Sequence, residues 1–271
     1  MGLFDYTDKR VVLTGGASGV GAAAVELLVD AGCTDLTVLD VQEPTGPAHR
    51  YLPTDRCAPG SIGAALEAIG GGVVGGGEHA GRAGTPTAEL VMRVNCLGPR
   101  RLTDGLVPGM PRGGAVVNTA SIAGQGWPDT LAAILELLAT EDWDDAIAWI
   151  ADHDELVSAD QYAFSKQVAQ VWTMHTSKRA WHDHGVRVNS VCPGPIDTPL
   201  MTDFIQTMTE KTIQWTVEES GGTMLSADDV AKALVLLGTD ASIALNGHNT
   251  IADNGFSAAL TTGQVDFSGL A

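Results

Sequence analysis

Cationic residues are scarce in this chain of 271 residues, which has 15 Lys and Arg against 33 Asp and Glu and a formal charge of -18. No Lys/Arg cluster interrupts the acidic excess, which argues against nucleic acid and anionic membrane surfaces as partners and is read first as a solubility device. Cysteine is sparse too: Cys33, Cys57, Cys96 and Cys192 are scattered without a CxxC pair, so neither a thiolate zinc site nor a disulfide framework is signalled. No apolar run approaches the roughly 20 residues that span a bilayer. The opening "MGLFDYTDKRVVLTGG" has no basic segment leading into an apolar one, so a cytoplasmic protein is expected. Aromatic residues make up only 5%, no unit repeats, and no linker rich in Pro or Ser divides the chain.

Glycine and aliphatic residues take their place. With 33 glycines and 44% hydrophobic residues, the composition suits one large core with many tight strand-to-helix turns. Short β-branched runs, "RVVLT" (10–14), "DLTVLD" (35–40), "GAVVNTA" (114–120), "GVRVNSVC" (185–192) and "HNTIAD" (248–253), mark strands, with a glycine-rich segment near 71–77. Helical patterns follow the first strand through Asp30 and cover 86–107, 160–184 and 226–237, the last opening with the cap-like "SADD". Strands alternating with helices predict an α/β fold, a doubly wound parallel (Rossmann) sheet covered on both faces, as a single domain over 1–271.

The first turn carries the clearest local chemistry. In "VVLTGGASGVG" a strand runs through Gly15, Gly16, Gly19 and Gly21 straight into a helix, where bare backbone approaches a pyrophosphate and the helix N-terminal amides meet its charge. A glycine turn that merely permits strand-helix packing is the alternative. Asp40 ends the second strand 19 residues after Gly21, near the roughly 20-residue offset at which a carboxylate reaches the adenosine ribose. It would repel a 2′-phosphate, and Ala17, Ser18 and Val20 offer no compensating cation, so NAD is expected over NADP. The competing reading of Asp40 is a solvated strand end.

Further on, "SADQYAFSK" sets Tyr162 and Lys166 one helical turn apart. A free tyrosine is a poor base near neutrality, and a neighbouring ammonium favours the phenolate, so Tyr162 is the candidate acid/base. Ser121, ending "VNTAS", is placed to hydrogen-bond a substrate oxygen, with Thr119 as its nearest rival.

The order of these pieces resembles the short-chain dehydrogenase/reductase family: "TGGASGVG" is similar to its TGxxxGxG turn, "YAFSK" to its YxxxK motif, and "VNTAS", "RVNCLG" and "CPGPIDTPL" follow in place. The resemblance covers nearly the whole chain. It implies a catalytic set of Asn95, Ser121, Tyr162 and Lys166, with Asn95 positioning a proton-relay water and Lys166 also gripping the ribose. It further implies that Gly15, Ala17, Ser18, Gly19, Val20, Gly21, Asp40, Tyr162 and Lys166 bind NAD. Asp55 and Arg56 fall where relatives contact adenine, although a surface turn explains them nearly as well. Pro193, Gly194, Ile196 and Thr198 fall where relatives hold the carboxamide.

Two departures stand out. In place of the NNAG that most members carry after the fourth strand, the chain reads "GGGVVGGGEHAGRAG"; Ala80 and Gly81 of "EHAG" are the nearest counterpart, with Gly75–Gly77 as the other register. His79 is read as structural, because no second ligand stands at metal spacing beside it, and no metal is expected. The second departure is the 41-position separation of Ser121 from Tyr162, far longer than most members have. The insertion, about 125–157, is read as a helical pair over the active-site side: Leu131, Ile134, Leu135 and Leu138 share one face, and Trp143, Ile147 and Ile150 another, with Asp129 or Thr130 as cap.

This insertion resembles the bacterial 3α-hydroxysteroid dehydrogenase/carbonyl reductase branch, and "SIAGQGWP", "VWTM" and "DFIQTM" resemble the coniferyl-alcohol dehydrogenase group. An apolar set after Thr198, comprising Leu200, Met201, Phe204, Ile205, Met208 and Trp215, reads as a substrate lid over about 197–224 or as core. The implied activity is NAD-dependent hydride transfer with a hydrophobic alcohol and its ketone or aldehyde partner, aryl-allylic or steroid-like. A non-catalytic dinucleotide-binding regulator of the same fold is the alternative, and no residue discriminates an enoyl reductase or epimerase. A homo-oligomer is implied, a dimer before a tetramer, because the insertion lies near one of the helical surfaces through which relatives pair. The tail 263–271 covers a site or frays.

Overall fold

The computed structural model describes residues 4–78, 86–198, 201 and 210–270. Five of the sheet strands coincide with the β-branched runs: β1 (Arg10–Thr14), β2 (Asp35–Asp40), β5 (Ala115–Thr119), β6 (Arg187–Pro193) and β9 (Asn249–Ala252). With β3 (Arg50–Pro53) and β4 (Gly75–Glu78) they form a seven-stranded parallel sheet in the order β3-β2-β1-β4-β5-β6-β9. The order reverses between β1 and β4, and in such sheets the crevice at the carboxyl ends of these strands is where ligands bind.

β4 reads Gly-Gly-Gly-Glu, with no β propensity of its own, and is held by its neighbours, Val11–Thr14 on one side and Ala115–Asn118 on the other. The glycine triplet and Glu78 are therefore inside the strand, and His79, Ala80 and Gly81 of "EHAG" lie outside the described residues.

Alternation along the strands divides the core between the two faces of the sheet. Val11, Leu13, Val38, Val117 and Val191 meet α1 (Gly19–Asp30) and α10 (Ala227–Gly238) through Val25, Leu28, Val230 and Leu234. Val12, Leu39, Val116 and Val188 meet α2 (Pro59–Ile69) and α4 (Gly98–Leu106) on the other face. α10 carries a full capping box, Ser226 with Asp229, where "SADD" predicts it.

The single helix expected over 86–107 is broken. α3 (Ala88–Met92) passes through a π-helical turn, Arg93–Leu97, before α4. Pro99 has no N–H to give, and the bonding shifts so that Gly98 N–H reaches the Arg93 carbonyl five residues back.

The insertion forms three helices, not a pair: α5 (Trp127–Leu138), α6 (Trp143–Asp152) and α7 (Asp154–Ala159). They build a further layer on α3, its π turn and the outer flank of α8 (Gln161–Arg179), with Ile134, Leu137, Ala146, Ile150 and Val157 packed on Met92, Leu97, Phe164, Val168 and Val171. The buried stripe of α5 is rotated from the expected one: Leu137 is inside and Leu135 is exposed. Neither Asp129 nor Thr130 caps α5, whose N-cap position is Gly126, with Pro128 in its first turn; Thr130 instead hydrogen-bonds Gln167 at 2.6 Å. Asp142 caps α6, accepting two backbone N–H groups at 2.9 Å. Among the described residues, no helix is long and apolar enough to cross a membrane.

Candidate active site

The glycine turn closes on itself so tightly that a Cβ on Gly21 would overlap the Gly15 carbonyl, and one on Gly16 would stand 2.8 Å from the Val38 side chain. Gly15 and Gly19 have φ of 70° and 53°, backbone that glycine adopts at no steric cost. Ser18 precedes α1 in extended conformation and makes no side-chain cap, and the first turn of α1 carries no acidic residue. Asp40 reaches across from β2: one carboxylate oxygen accepts from Ala17 N–H at 3.0 Å and the other from Gln42 N–H at 3.1 Å. The opposite wall comes from the segment after β6. Pro193 ends that strand, Gly194 N–H bonds the Ala252 carbonyl at 3.0 Å, and Ile196 in β7 (Ile196–Asp197) packs against the cluster that contains Val20. Thr198 Cγ2 lies 3.6 Å from where a Gly19 Cβ would be.

The glycine turn, Asp40 and the segment from Pro193 to Thr198 therefore lie side by side at the carboxyl end of the sheet. Their donor set of turn amides and a helix N-terminus, with a carboxylate beside it, fits a dinucleotide's phosphates and ribose. Asp55 behaves differently, exposed in a turn where it accepts from Cys57 N–H at 2.8 Å. Arg56 is buried, and its charge is felt at Lys166.

The proton-handling residues gather at the same end of the sheet. Ser121 follows β5, and its hydroxyl accepts from Ala123 N–H at 3.2 Å, opening a 3-10 turn, Ile122–Gly126. Asp160 caps α8 by accepting from Ala163 N–H at 2.9 Å, which sets Tyr162 in the first turn. The Ser121 side chain acts on the Tyr162 phenol and favours its ionised form. Lys166 Nζ lies 5.6 Å from the centre of the Tyr162 ring and donates to the Thr119 carbonyl at 2.8 Å. Thr119, the rival to Ser121, thus serves through its backbone. Asn95 sits in the π turn and donates to Ser165 Oγ at 3.0 Å, which in turn donates to the Tyr162 carbonyl at 2.7 Å. Asn95 thus reaches the group through Ser165 and the backbone of Tyr162.

Burial governs the charges here. It pushes the Tyr162 phenol up to about 12, against the opposing pull of the Ser121 side chain. It pulls Lys166 down to about 8, Cys96 acting to raise it and the like charge of Arg56 adding to the fall. The expectation that the ammonium makes Tyr162 more acidic is therefore overridden by desolvation, and the phenol holds its proton at neutral pH while the ammonium holds its own weakly.

Gln170 was missed in the sequence. Its amide donates to the Ser121 carbonyl at 2.7 Å, fixing the turn that carries the serine. Tyr162, Lys166 and Gln170 recur every four residues along one helix, and that spacing is the signal that could have found it. Gly124 lets the 3-10 turn lie flat on α8, because a Cβ there would collide with the Lys166 carbonyl.

Of the apolar set after Thr198, Trp215 faces protein: it is buried with Phe256 and Val265, and its indole N–H donates to the Asp266 carbonyl at 2.7 Å. Leu200, Phe204, Ile205 and Met208 lie outside the described residues. The described residues contain no group of three His, Cys, Asp or Glu arranged to hold a metal ion.

A family model described as "Enoyl-(Acyl carrier protein) reductase" matches residues 146–257. The chain is 27% identical to coniferyl-alcohol dehydrogenase of Pseudomonas sp. (strain HR199 / DSM 7063), over 93% of this chain and 98% of that one. It is also 27% identical to 2,5-dichloro-2,5-cyclohexadiene-1,4-diol dehydrogenase of Sphingobium indicum, over 94% and 99%. Among solved structures, the 3-alpha-hydroxysteroid dehydrogenase from Pseudomonas sp. B-0831 complexed with NADH superposes with a TM-score of 0.76 at 27% identity, covering 95% of this chain and 100% of that chain.

Proposed function

The chain belongs to the short-chain dehydrogenase/reductase family, and from that premise we propose that it transfers hydride between a nicotinamide dinucleotide, NAD before NADP, and a hydrophobic alcohol with its carbonyl partner. The observation that carries this reading is Lys166 set 5.6 Å from the centre of the Tyr162 ring, with Ser121 acting on the same phenol, beside a glycine turn faced by Asp40.

A dinucleotide whose phosphates are held by the glycine turn would supply, through its nicotinamide, the acceptor or donor of hydride. Ser121 orients the substrate hydroxyl toward Tyr162 and stabilises charge as it develops on that oxygen. Tyr162 removes the hydroxyl proton in oxidation and returns it in reduction. A phenol at about 12 is a reluctant base, so this step needs local positive charge. Lys166, at about 8, exchanges protons readily near neutrality and supplies part of that charge. Asn95, through Ser165, holds the backbone of Tyr162 in place. Asp40 favours a ribose with free hydroxyls over a 2′-phosphate. A ring-bearing or steroid-like alcohol is supported by the relatives' named activities and by the apolar Ile122 that follows Ser121.

The test is steady-state NADH fluorescence with a panel of aryl-allylic, cyclic and steroid alcohols. Tyr162→Phe should lower kcat by about 10³-fold or more while NADH affinity stays within about twofold. NADH binding by the wild type without turnover of any alcohol or carbonyl would favour a regulatory protein.

A further inference from the structure

The C-terminal segment is built into the wall beside the serine turn. Trp215 lies in α9 (Glu210–Glu219), and much of its surroundings comes from the last residues of the chain. Its indole N–H donates to the Asp266 carbonyl at 2.7 Å, its ring centre lies 5.6 Å from that of Phe267, and Val265 is buried against it. Asp266 N–H returns a bond to Glu219 at 3.2 Å, at the far end of the same helix. The segment holds its own shape: Gln264 N–H bonds the Ala259 carbonyl at 2.8 Å, and Ser268 N–H and hydroxyl bond the Asp266 carboxylate at 2.8 and 2.9 Å. Gly269 comes so near that a Cβ there would stand 2.8 Å from Trp215 Cδ1.

On its other side the same cluster reaches the reacting end. Phe256 meets Trp215 edge-on at 5.5 Å, and Ile122, the residue after Ser121, packs against the pair. Ile122 Cδ1 also lies 3.9 Å from where a Gly194 Cβ would be, so it stands between this cluster and the turn after β6. Gln125 ties the serine turn to α11 (Phe256–Thr261) by donating to Ser257 at 2.8 Å, and Ser257 bonds Asp253. A shift of Trp215 is therefore felt one residue from Ser121.

We infer that residues 264–269 are a strap that fixes α9 through Trp215 against Ile122 and so sets the size of the alcohol that the site admits. The inference rests on the proposed dehydrogenase reading for its substrate and on the Trp215 contacts for the strap itself. Released from residues 265–267, Trp215 loses an acceptor for a buried N–H and a tilted aromatic neighbour, and α9 must shift or loosen. The wall beside Ile122 then widens, and discrimination by substrate size follows wall position because small volumes in an apolar pocket are worth roughly 10-fold or more in rate.

Two full-length variants test this, Gly269→Ala, which drives the strap off Trp215, and Phe267→Ala, which removes a half-exposed ring without burying anything new. Hydrogen–deuterium exchange should quicken in 210–219, and the kcat/KM ratio of a steroid or aryl-allylic alcohol to a small secondary alcohol should change by about tenfold, with NADH affinity unchanged. Unchanged exchange in 210–219 overturns the strap, and quicker exchange with an unchanged ratio overturns its role in size selection. Should the wild type oxidise no alcohol, the dehydrogenase reading and its size selection fall, while the exchange measurement still decides whether the strap holds α9.

Discussion

At the scale of the residue, packing rather than charge decides how Tyr162 and Lys166 titrate. Burial moves both toward their neutral forms, the phenol to about 12 and the ammonium to about 8. The sign of the pH dependence follows. Below about pH 8 folded and unfolded chains both carry the Lys166 proton, and the folded chain bears the full cost of holding it out of water. Between about 8 and the ordinary value of 10.5 the unfolded chain binds more protons, so stability rises with pH. Chemical denaturation at pH 7.5 and 10 should show the wild type gaining on Lys166→Met by about 2 kcal/mol; Tyr162 acts oppositely, but only above pH 10. Asp40 bears on recognition instead. Its carboxylate is already held against the turn by Ala17 N–H, and on the proposed reading Asp40→Ala should cut any preference for NAD over NADP by about tenfold or more, the worth of one charge-assisted hydrogen bond. Ratios of kcat/KM for the two cofactors measure it.

At the scale of the element, α8 is the organiser. Its first turns present Tyr162, Lys166 and Gln170 to the serine turn, while Phe164, Val168 and Val171 on its flank anchor the insertion. The π turn before α4 places Asn95 beside Ser165 of the same helix. On the other face of the sheet, Arg187 plays a part that no local pattern announces. Wholly buried in β6, its guanidinium donates to the carbonyls of Leu237, Thr239 and Ser242 and to the Ser242 hydroxyl, at 2.9 to 3.1 Å. These lie at and just past the C-terminus of α10, where a cation also meets the helix dipole. Arg187→Met should lower stability by on the order of 3 kcal/mol, since it leaves several buried carbonyls without a donor. Urea denaturation reads that loss, and NADH affinity of the folded fraction should not change.

At the scale of the whole molecule, the insertion is integral to the core. Ile134 is fully buried among Met92, Leu97, Phe164 and Val168. Ile134→Ala should therefore cost about 2–5 kcal/mol of global stability, with unfolding remaining a single transition by circular dichroism and by fluorescence. Two separated transitions would show that the three inserted helices melt as a unit of their own. The same layer covers the outer flank of α8.

Much of this was legible along the chain because the governing forces are local. β-branched runs buried on both faces read as parallel strands, "SADD" reads as a capping box, and the glycines of 15–21 answer to steric demands within a few residues. The family motifs, likewise short, led to Asn95, Ser121, Tyr162 and Lys166. What the tertiary structure alone decided depends on groups distant in sequence. A strand of glycines exists because β1 and β5 pair with it, and Ser121 rather than Thr119 meets the phenol because of how the 3-10 turn lies on α8. Trp215 turns inward because residues 51 positions later supply its acceptor. The direction in which Tyr162 and Lys166 titrate belongs to the same class, since desolvation is set by everything packed around a group and a spacing of four residues carries no record of it.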